Sequence, residues 1–186
     1  LQTYLETLMS QAESTYHAKE MNAVLMNAKT GAIVAATQRP TFNAQTKVGL
    51  SDMWRNTLVE DSFEPGSTMK ILTMAAAINS GNYNANATYK SGTYKINGQT
   101  VSDWYPSGWG DITYRDAFIR SSNVGMAHLE QTMGAKKWLN YIKRFGLLKS
   151  TNSGLSNEVK GSIEYKYPIE QANTAYGQGI TVTVFQ

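Results

Sequence analysis

The chain has 186 residues, 41% hydrophobic and 17% charged, the balance of a folded globular protein with room for one sizeable core. Its net charge is only +3 and its basic residues are scattered, which excludes a dedicated nucleic-acid surface. The absence of cysteine removes disulfides, thiolate metal sites and a cysteine nucleophile, two histidines argue against a zinc centre, and no stretch approaches the roughly 18 apolar residues of a membrane span.

Residues 1 to about 19 are predicted helical, with Leu1, Leu5, Leu8 and Ala12 at helical spacing. Met21 to Asn27 and Ala32 to Ala36 read as two strands joined by the turn Ala28-Lys29-Thr30-Gly31. Residues 38–62 are polar and irregular. Pro65 stands where a first helical turn tolerates proline, and Met69 to Ile78 is apolar nearly all round, as expected of a buried helix that Gly81 can stop.

A hairpin is predicted next, with Asn97-Gly98 as the turn between Tyr94-Lys95-Ile96 and Gln99-Thr100-Val101. Aromatic and glycine residues crowd 104–110. Helices follow near 113–120, 124–133 and 135–145, broken by Gly134 and Gly146; residues 149–166 form a polar loop, and Pro168 opens a short helix. The chain stops in the apolar alternation Ile180, Val182, Val184. Strands early and helices later give an α/β (α+β) class, with partner strands expected outside this stretch.

Ser67 and Lys70 are the candidate chemistry. Three residues apart on a helix, they share a face, so the amine lies near enough to take the hydroxyl proton. The amine must be neutral to do so, and its apolar neighbours Met69, Ile71 and Leu72 are expected to lower its pKa by burial. The nucleophile also sits at a helix start, where free backbone N–H groups can stabilise an oxyanion.

On spacing alone, a serine capping a helix before a solvent-facing lysine is the plainer reading. The Glu64-Pro65-Gly66 approach and the apolar helix tip the balance. A second polar element is expected across the cleft. S-x-N occurs at Ser80-Gly81-Asn82, Ser121-Ser122-Asn123 and Ser150-Thr151-Asn152; the first and last read as turn chemistry, while Ser121 and Asn123 sit on a short loop between helices. An N-cap pair is the competing reading there. His17 and His128 have no carboxylate partner implied by position, so no Ser-His-Asp triad is argued.

Phe63-Glu64-Pro65-Gly66-Ser67-Thr68-Met69-Lys70 closely resembles the active-site serine motif of class B penicillin-binding proteins, and Ser121-Ser122-Asn123-Val124-Gly125-Met126 their second motif. Ala28 to Ala35 is similar to the family's first hairpin, Thr37 to Phe42 to its continuation, Asp103-Trp104 to its cleft-edge tryptophan segment, and Tyr176-Gly177-Gln178-Gly179-Ile180 to its G-Q-G stretch. The resemblance covers essentially the whole chain and is most like the division-specific branch called penicillin-binding protein 2x. It implies a penicillin-binding or serine β-lactamase-like transpeptidase fold: a helical subdomain plus part of a central antiparallel sheet.

The resemblance further implies that Ser67 is acylated by the D-Ala-D-Ala end of a peptidoglycan stem peptide, and that a neighbouring amine then attacks the ester. Lys70 would be the base, Ser121 would relay a proton to the leaving group, and Asn123 would hold the substrate amide and Lys70. Trp104 and Gln178 are carried over as substrate-binding positions. No cofactor or metal is expected. The implied partners are stem peptides, β-lactams and, through the full-length protein, division proteins at the extracytoplasmic face of a bacterial membrane.

A third motif, K-T-G or K-S-G, is expected on a cleft-lining strand after the S-x-N. Lys29-Thr30-Gly31 and Lys90-Ser91-Gly92 come too early and read as decoys. Residues 1–186 are therefore expected to be the N-terminal portion of one transpeptidase domain, inactive alone, with the third motif, remaining strands and membrane anchor elsewhere. A β-lactamase or β-lactam sensor is the nearest alternative, with Glu130, Glu158 and Glu164 as candidate water-activating residues outside any recognisable setting. A non-catalytic division scaffold is the other; a lipid- or sugar-binding module rests on Trp104, Tyr105 and Trp109 alone.

Overall fold

The computed structural model describes residues 1–186, which divide into two compact units. Unit 1 comprises residues 1–62, 150–159 and 183–186; unit 2 comprises 63–149 and 160–182.

Unit 1 is a helix on a hairpin. Helix α1 (Gln2–Tyr16) packs on strand β2 (Ile33–Arg39), which pairs antiparallel with β1 (Met21–Met26). Apolar burial here is thin: Met9, Ala35, Leu58 and Val59. Polar contacts do much of the fastening. Arg39 is 5% exposed and donates to the Glu6 carbonyl and carboxylate (both 2.9 Å), Ser10 Oγ (3.0 Å) and Thr37 Oγ1 (2.9 Å), with the Glu13 carboxylate 3.5 Å away. The Gln2 side chain bonds both ways to the Ala36 backbone, as a neighbouring strand would. Within the irregular 38–62 stretch one short helix forms, α2 (Thr57–Glu60), capped by the Asn56 side chain.

Unit 2 holds a continuous apolar core. The turn Gly66–Thr68 is 3₁₀ and runs into α3 (Met69–Asn79). Strand β3 (Thr88–Lys90) and the hairpin β4 (Thr93–Ile96) and β5 (Gln99–Ser102) follow, then β6 (Asp111–Thr113), which pairs with β3. Asn97 and Gly98 both have positive φ, the geometry of the expected two-residue turn. Helices α4 (Tyr114–Ile119), α5 (Asn123–Met133) and α6 (Ala135–Arg144) come next, then β7 (Ser162–Ile163), α7 (Pro168–Thr174) and β8 (Ile180–Thr181). All four sheets are two-stranded and antiparallel.

The more deeply buried helix is α5, not α3. Val124, Gly125, Met126, Ala127, Leu129, Glu130 and Met133 are all buried, and α3, α4, α6 and α7 pack around it. Helix α3 buries Met69, Lys70, Thr73, Met74, Ala76 and Ala77 on one side but leaves Ile71 62% and Ile78 56% exposed. The expectation that Ile71 shields Lys70 is thus corrected: Ile71 is exposed, while Met69 and Lys70 lie on the buried side of α3, on which α5 and α6 pack. Trp138 of α6 is fully buried, its indole N–H donating to Thr174 Oγ1 at 2.8 Å.

Candidate active site

Three long-range contacts hold the segment leading to Ser67. Phe63 and Val182 exchange backbone hydrogen bonds (2.9 Å each way), the Gly66 N–H donates to the Gly177 carbonyl (3.0 Å), and the Gly179 N–H donates to Glu64 Oε1 (2.8 Å). A fourth contact anchors α3, where Thr73 Oγ1 donates to the Ala175 carbonyl at 2.7 Å. Gly177 has φ +82°, and a Cβ there would lie 2.1 Å from the Gly66 carbonyl oxygen, so only glycine fits. The G-Q-G stretch thus braces the approach to Ser67 through its backbone. The Gln178 side chain is exposed and lines a polar cavity of about 290 Å³ with Glu64, Ser162, Glu164, Asn173 and Thr181.

Ser67 lies exposed in the 3₁₀ turn, while Lys70, one turn on, is 3% exposed. Lys70 Nζ donates to the Ser121 carbonyl (2.6 Å) and to Ser121 Oγ (2.9 Å), and Ser121 Oγ donates to Ser67 Oγ (3.0 Å). The hydrogen-bonded route from Lys70 to Ser67 therefore runs through Ser121. Hydroxyl hydrogens rotate, so this N–O–O chain can carry a proton in either sense. Burial pushes the Lys70 pKa down to about 8, opposed by the Asp103 carboxylate, which favours the charged amine.

Ser121 is the residue that turns both its oxygens toward Lys70, and its backbone is left-handed, with φ 54°. For a non-glycine residue that costs on the order of 1 kcal/mol. Ser122 is the N-cap of α5, its hydroxyl accepting from the Gly125 N–H (2.9 Å). The N-cap reading of the S-x-N loop is therefore correct for Ser122, while Ser121 faces the lysine. Asn123 directs its amide nitrogen at the Ser102 carbonyl, 2.9 Å away.

Trp104 is 70% exposed, and its indole N–H donates to the Arg120 carbonyl (2.9 Å) next to Ser121. Tyr105 and Trp109 cluster with it, and the Arg120 guanidinium lies 5.3 Å from the Trp109 ring. His128 is half-buried, its ring 4.0 Å from that of Tyr94 and 5.4 Å from that of Tyr89, and burial lowers its pKa. Lys29-Thr30-Gly31 lies in the β1–β2 turn of unit 1, and in Lys90-Ser91-Gly92 the Gly92 N–H donates to Asp103. Glu130 is fully buried inside α5; Oε1 lacks a hydrogen-bond partner and burial raises its pKa.

Sequence reasoning passed over Asp103 as a site residue. It is 3% exposed and accepts from Gly92 N–H, Ser122 Oγ–H and Val124 N–H. An aspartate between a short hairpin strand and a stretch rich in aromatic and glycine residues gives no signal of burial. No group of histidine, cysteine or acidic residues is arranged to hold a metal ion, and no helix is long and apolar enough to cross a membrane.

Ser121, buried Lys70 and exposed Ser67 are thus joined in one hydrogen-bonded chain. Residues 21–186 match the family model for the penicillin binding protein transpeptidase domain, and the chain belongs to that family, in its class B branch. It is 37% identical over 193 residues to stage V sporulation protein D of Bacillus subtilis and 31% identical over 190 residues to peptidoglycan D,D-transpeptidase FtsI of Escherichia coli K12. Each alignment covers 100% of this chain but 30% and 32% of the respective relative. The structure is similar to penicillin binding protein 2X from Streptococcus thermophilus, with a TM-score of 0.90 and 39% identity, over 98% of this chain and 28% of that one. A peptidoglycan glycosyltransferase structure from Burkholderia ambifaria aligns with a TM-score of 0.86 at 26% identity, over 99% of this chain and 55% of that one. The chain thus spans about a third of the length of the curated relatives it matches.

Proposed function

We propose that the polypeptide carrying these residues is a D,D-transpeptidase that cross-links peptidoglycan stem peptides through an ester on Ser67. The observation that carries this reading is the chain Lys70 Nζ–Ser121 Oγ–Ser67 Oγ, with links of 2.9 and 3.0 Å. With Lys70 neutral the chain runs in reverse. The Ser67 proton passes to Ser121 and the Ser121 proton to Lys70, as Ser67 Oγ attacks the carbonyl of the penultimate D-alanine. When the tetrahedral intermediate collapses, Ser121 hands a proton to the departing D-alanine amine and is reprotonated by Lys70. An acceptor amine then attacks the ester, losing its proton to the same relay and restoring Ser67. β-Lactams would enter at the first step and remain as a slowly hydrolysed ester.

In this reading Trp104 and Gln178 are rim positions that contact substrate, and Asn123 holds its amide. A K-[ST]-G wall comes from sequence following residue 186, so residues 1–186 alone are inactive. The reading places the intact protein at the outer face of a bacterial membrane, working with division or sporulation partners and anchored by a segment outside these residues. The test is fluorescent-penicillin labelling of the intact polypeptide. A stable adduct on Ser67, absent in Ser67→Ala and lasting many minutes, is expected. No adduct, labelling of the alanine variant, or hydrolysis within seconds would overturn the reading in favour of a scaffold or a lactamase. Labelling of residues 1–186 alone would sink the claim that this stretch is inactive.

A further inference from the structure

Three consecutive residues, the last of β5 and the two that follow it, grip the S-x-N loop on both sides of Ser121. The Ser102 carbonyl accepts from the Asn123 amide (2.9 Å), and the Trp104 indole N–H donates to the Arg120 carbonyl (2.9 Å). Between them, Asp103 Oδ1 accepts from Ser122 Oγ–H (2.8 Å) and Val124 N–H (3.0 Å), while Oδ2 accepts from Gly92 N–H (2.8 Å). Ser122 Oγ is held in turn, accepting from the Tyr89 hydroxyl (2.6 Å) and the Gly125 N–H (2.9 Å). Arg120, Ser122, Asn123 and Val124 are thus all fastened. Ser121, between them, is the residue whose left-handed backbone aims two oxygens at Lys70.

A buried carboxylate is costly unless its charge is met by hydrogen bonds, and Asp103 receives three. None of those donors contacts Ser67 or Lys70 directly, so the carboxylate acts on the site through Ser122 and the first turn of α5. We propose that Ser102-Asp103-Trp104 is a clasp that sets the Ser121 conformation, with Asp103 its central positioning residue for acylation. The proposal rests on reading Ser67, Lys70 and Ser121 as the acylation site. Asp103 has a second lever. Among the elements packed around Lys70, namely its own helix, the α4–α5 turn and the segment after β5, it is the one charged group that acts on the amine.

The two levers separate in experiment. In the intact polypeptide, the rate of acylation by fluorescent penicillin is measured against pH for Asp103→Asn and Ser122→Ala, alongside thermal melting. Asp103→Asn keeps the size but loses the charge and opposes an amide N–H to that of Gly92. Its acylation is expected to fall by on the order of a hundredfold. The midpoint of its rise with pH moves to lower pH, because the charge that favoured protonated Lys70 is gone. Ser122→Ala keeps the charge and breaks the link, so about a tenfold loss with an unmoved midpoint is expected.

A rate loss in Asp103→Asn no larger than its loss of folded protein, with the midpoint unmoved, means a merely structural role and overturns the proposal. Wild-type kinetics in that variant overturn it too. Should Asp103→Asn not fold, Ser122→Ala decides: slow acylation with unchanged melting supports the clasp, and the wild-type rate refutes it. A wild-type polypeptide that does not label at Ser67 sinks the reading of the site instead, whatever Asp103 does.

Discussion

The two units solve the same problem with different materials. Unit 2 is packed: Trp138, Met126, Leu129, Ile142 and Ile180 are all within 1% of complete burial, and polar groups enter this core both at the site (Lys70, Asp103, Ser122) and away from it (Thr73, Glu130, Thr174). Unit 1 is pinned. Its helix is held on its hairpin by one buried guanidinium and a glutamine side chain, with only four apolar residues buried. Apolar contact is non-directional and sums over area, whereas a guanidinium fork works only when each acceptor is in place. Catalytic geometry needs a stiff support, and the candidate residues all lie in the packed unit.

The contrast can be broken by experiment. Trp138→Ala is expected to have the largest effect, about 3–5 kcal/mol of lost stability from the cavity and the lost indole hydrogen bond to Thr174. Denaturant unfolding measures it, and hydrogen exchange should rise first in α5 and α6. Arg39→Met comes next, at about 2–3 kcal/mol, because Glu6 and Thr37 lose a buried partner while the glutamates stay partly in water. Its exchange should rise in α1 and β2; full protection there would mean that apolar packing holds unit 1 after all. Gly125→Ala is smaller, about 1–3 kcal/mol, since a Cβ would meet Ala117 Cβ at 2.7 Å and the Tyr89 hydroxyl at 2.8 Å.

The smallest effects concern pH. On the proposed reading Lys70 acts as the base only when neutral, so acylation is expected to climb as pH rises through about 8. The folded pKa lies below the ordinary 10.5, so burying this amine costs stability in full below about 8, a cost relieved as pH rises from there toward 10.5. In unit 1, Ser150, Thr151 and Ser153 donate to the Glu158 carboxylate and hold its pKa near about 2. That support is present above 4.5 and lost as pH falls toward 2, so loop 150–158 should loosen in acid before the core does. A flat acylation profile around pH 8, or acid melting that starts in α5, would contradict these signs.

Much of this was legible before any coordinates. The first hairpin, the Asn97-Gly98 turn, the three helices after 113 and the Pro168 start are local events, written in turn residues and in 3.6-residue periodicity. The pairing of Ser67 with Lys70 is local too. Which helix is buried was not legible, because the apolar run Met69–Ile78 does not say how many neighbours cover it. Nor was the clamp of Glu64 on Gly179, a contact between residues 115 apart. Arg39 and Asp103 escaped for another reason: charged residues default to the surface, and only the assembled acceptors or donors reveal why these two are inside.

The staple between the approach to Ser67 and residues 175–182 also imposes an order of events during synthesis. Ser67 leaves the ribosome long before Gly177, Gly179 and Val182 exist to brace it. At ordinary elongation rates of about 5–20 residues per second, the 119 residues from Phe63 to Val182 take on the order of 6 to 24 s to make. For that interval the serine sits on a segment without its clamp, and the approach is locked only when the loop closes behind it. Maturation of the Ser67 turn is in this sense a late step of translation, timed by how far along the message its brace is encoded.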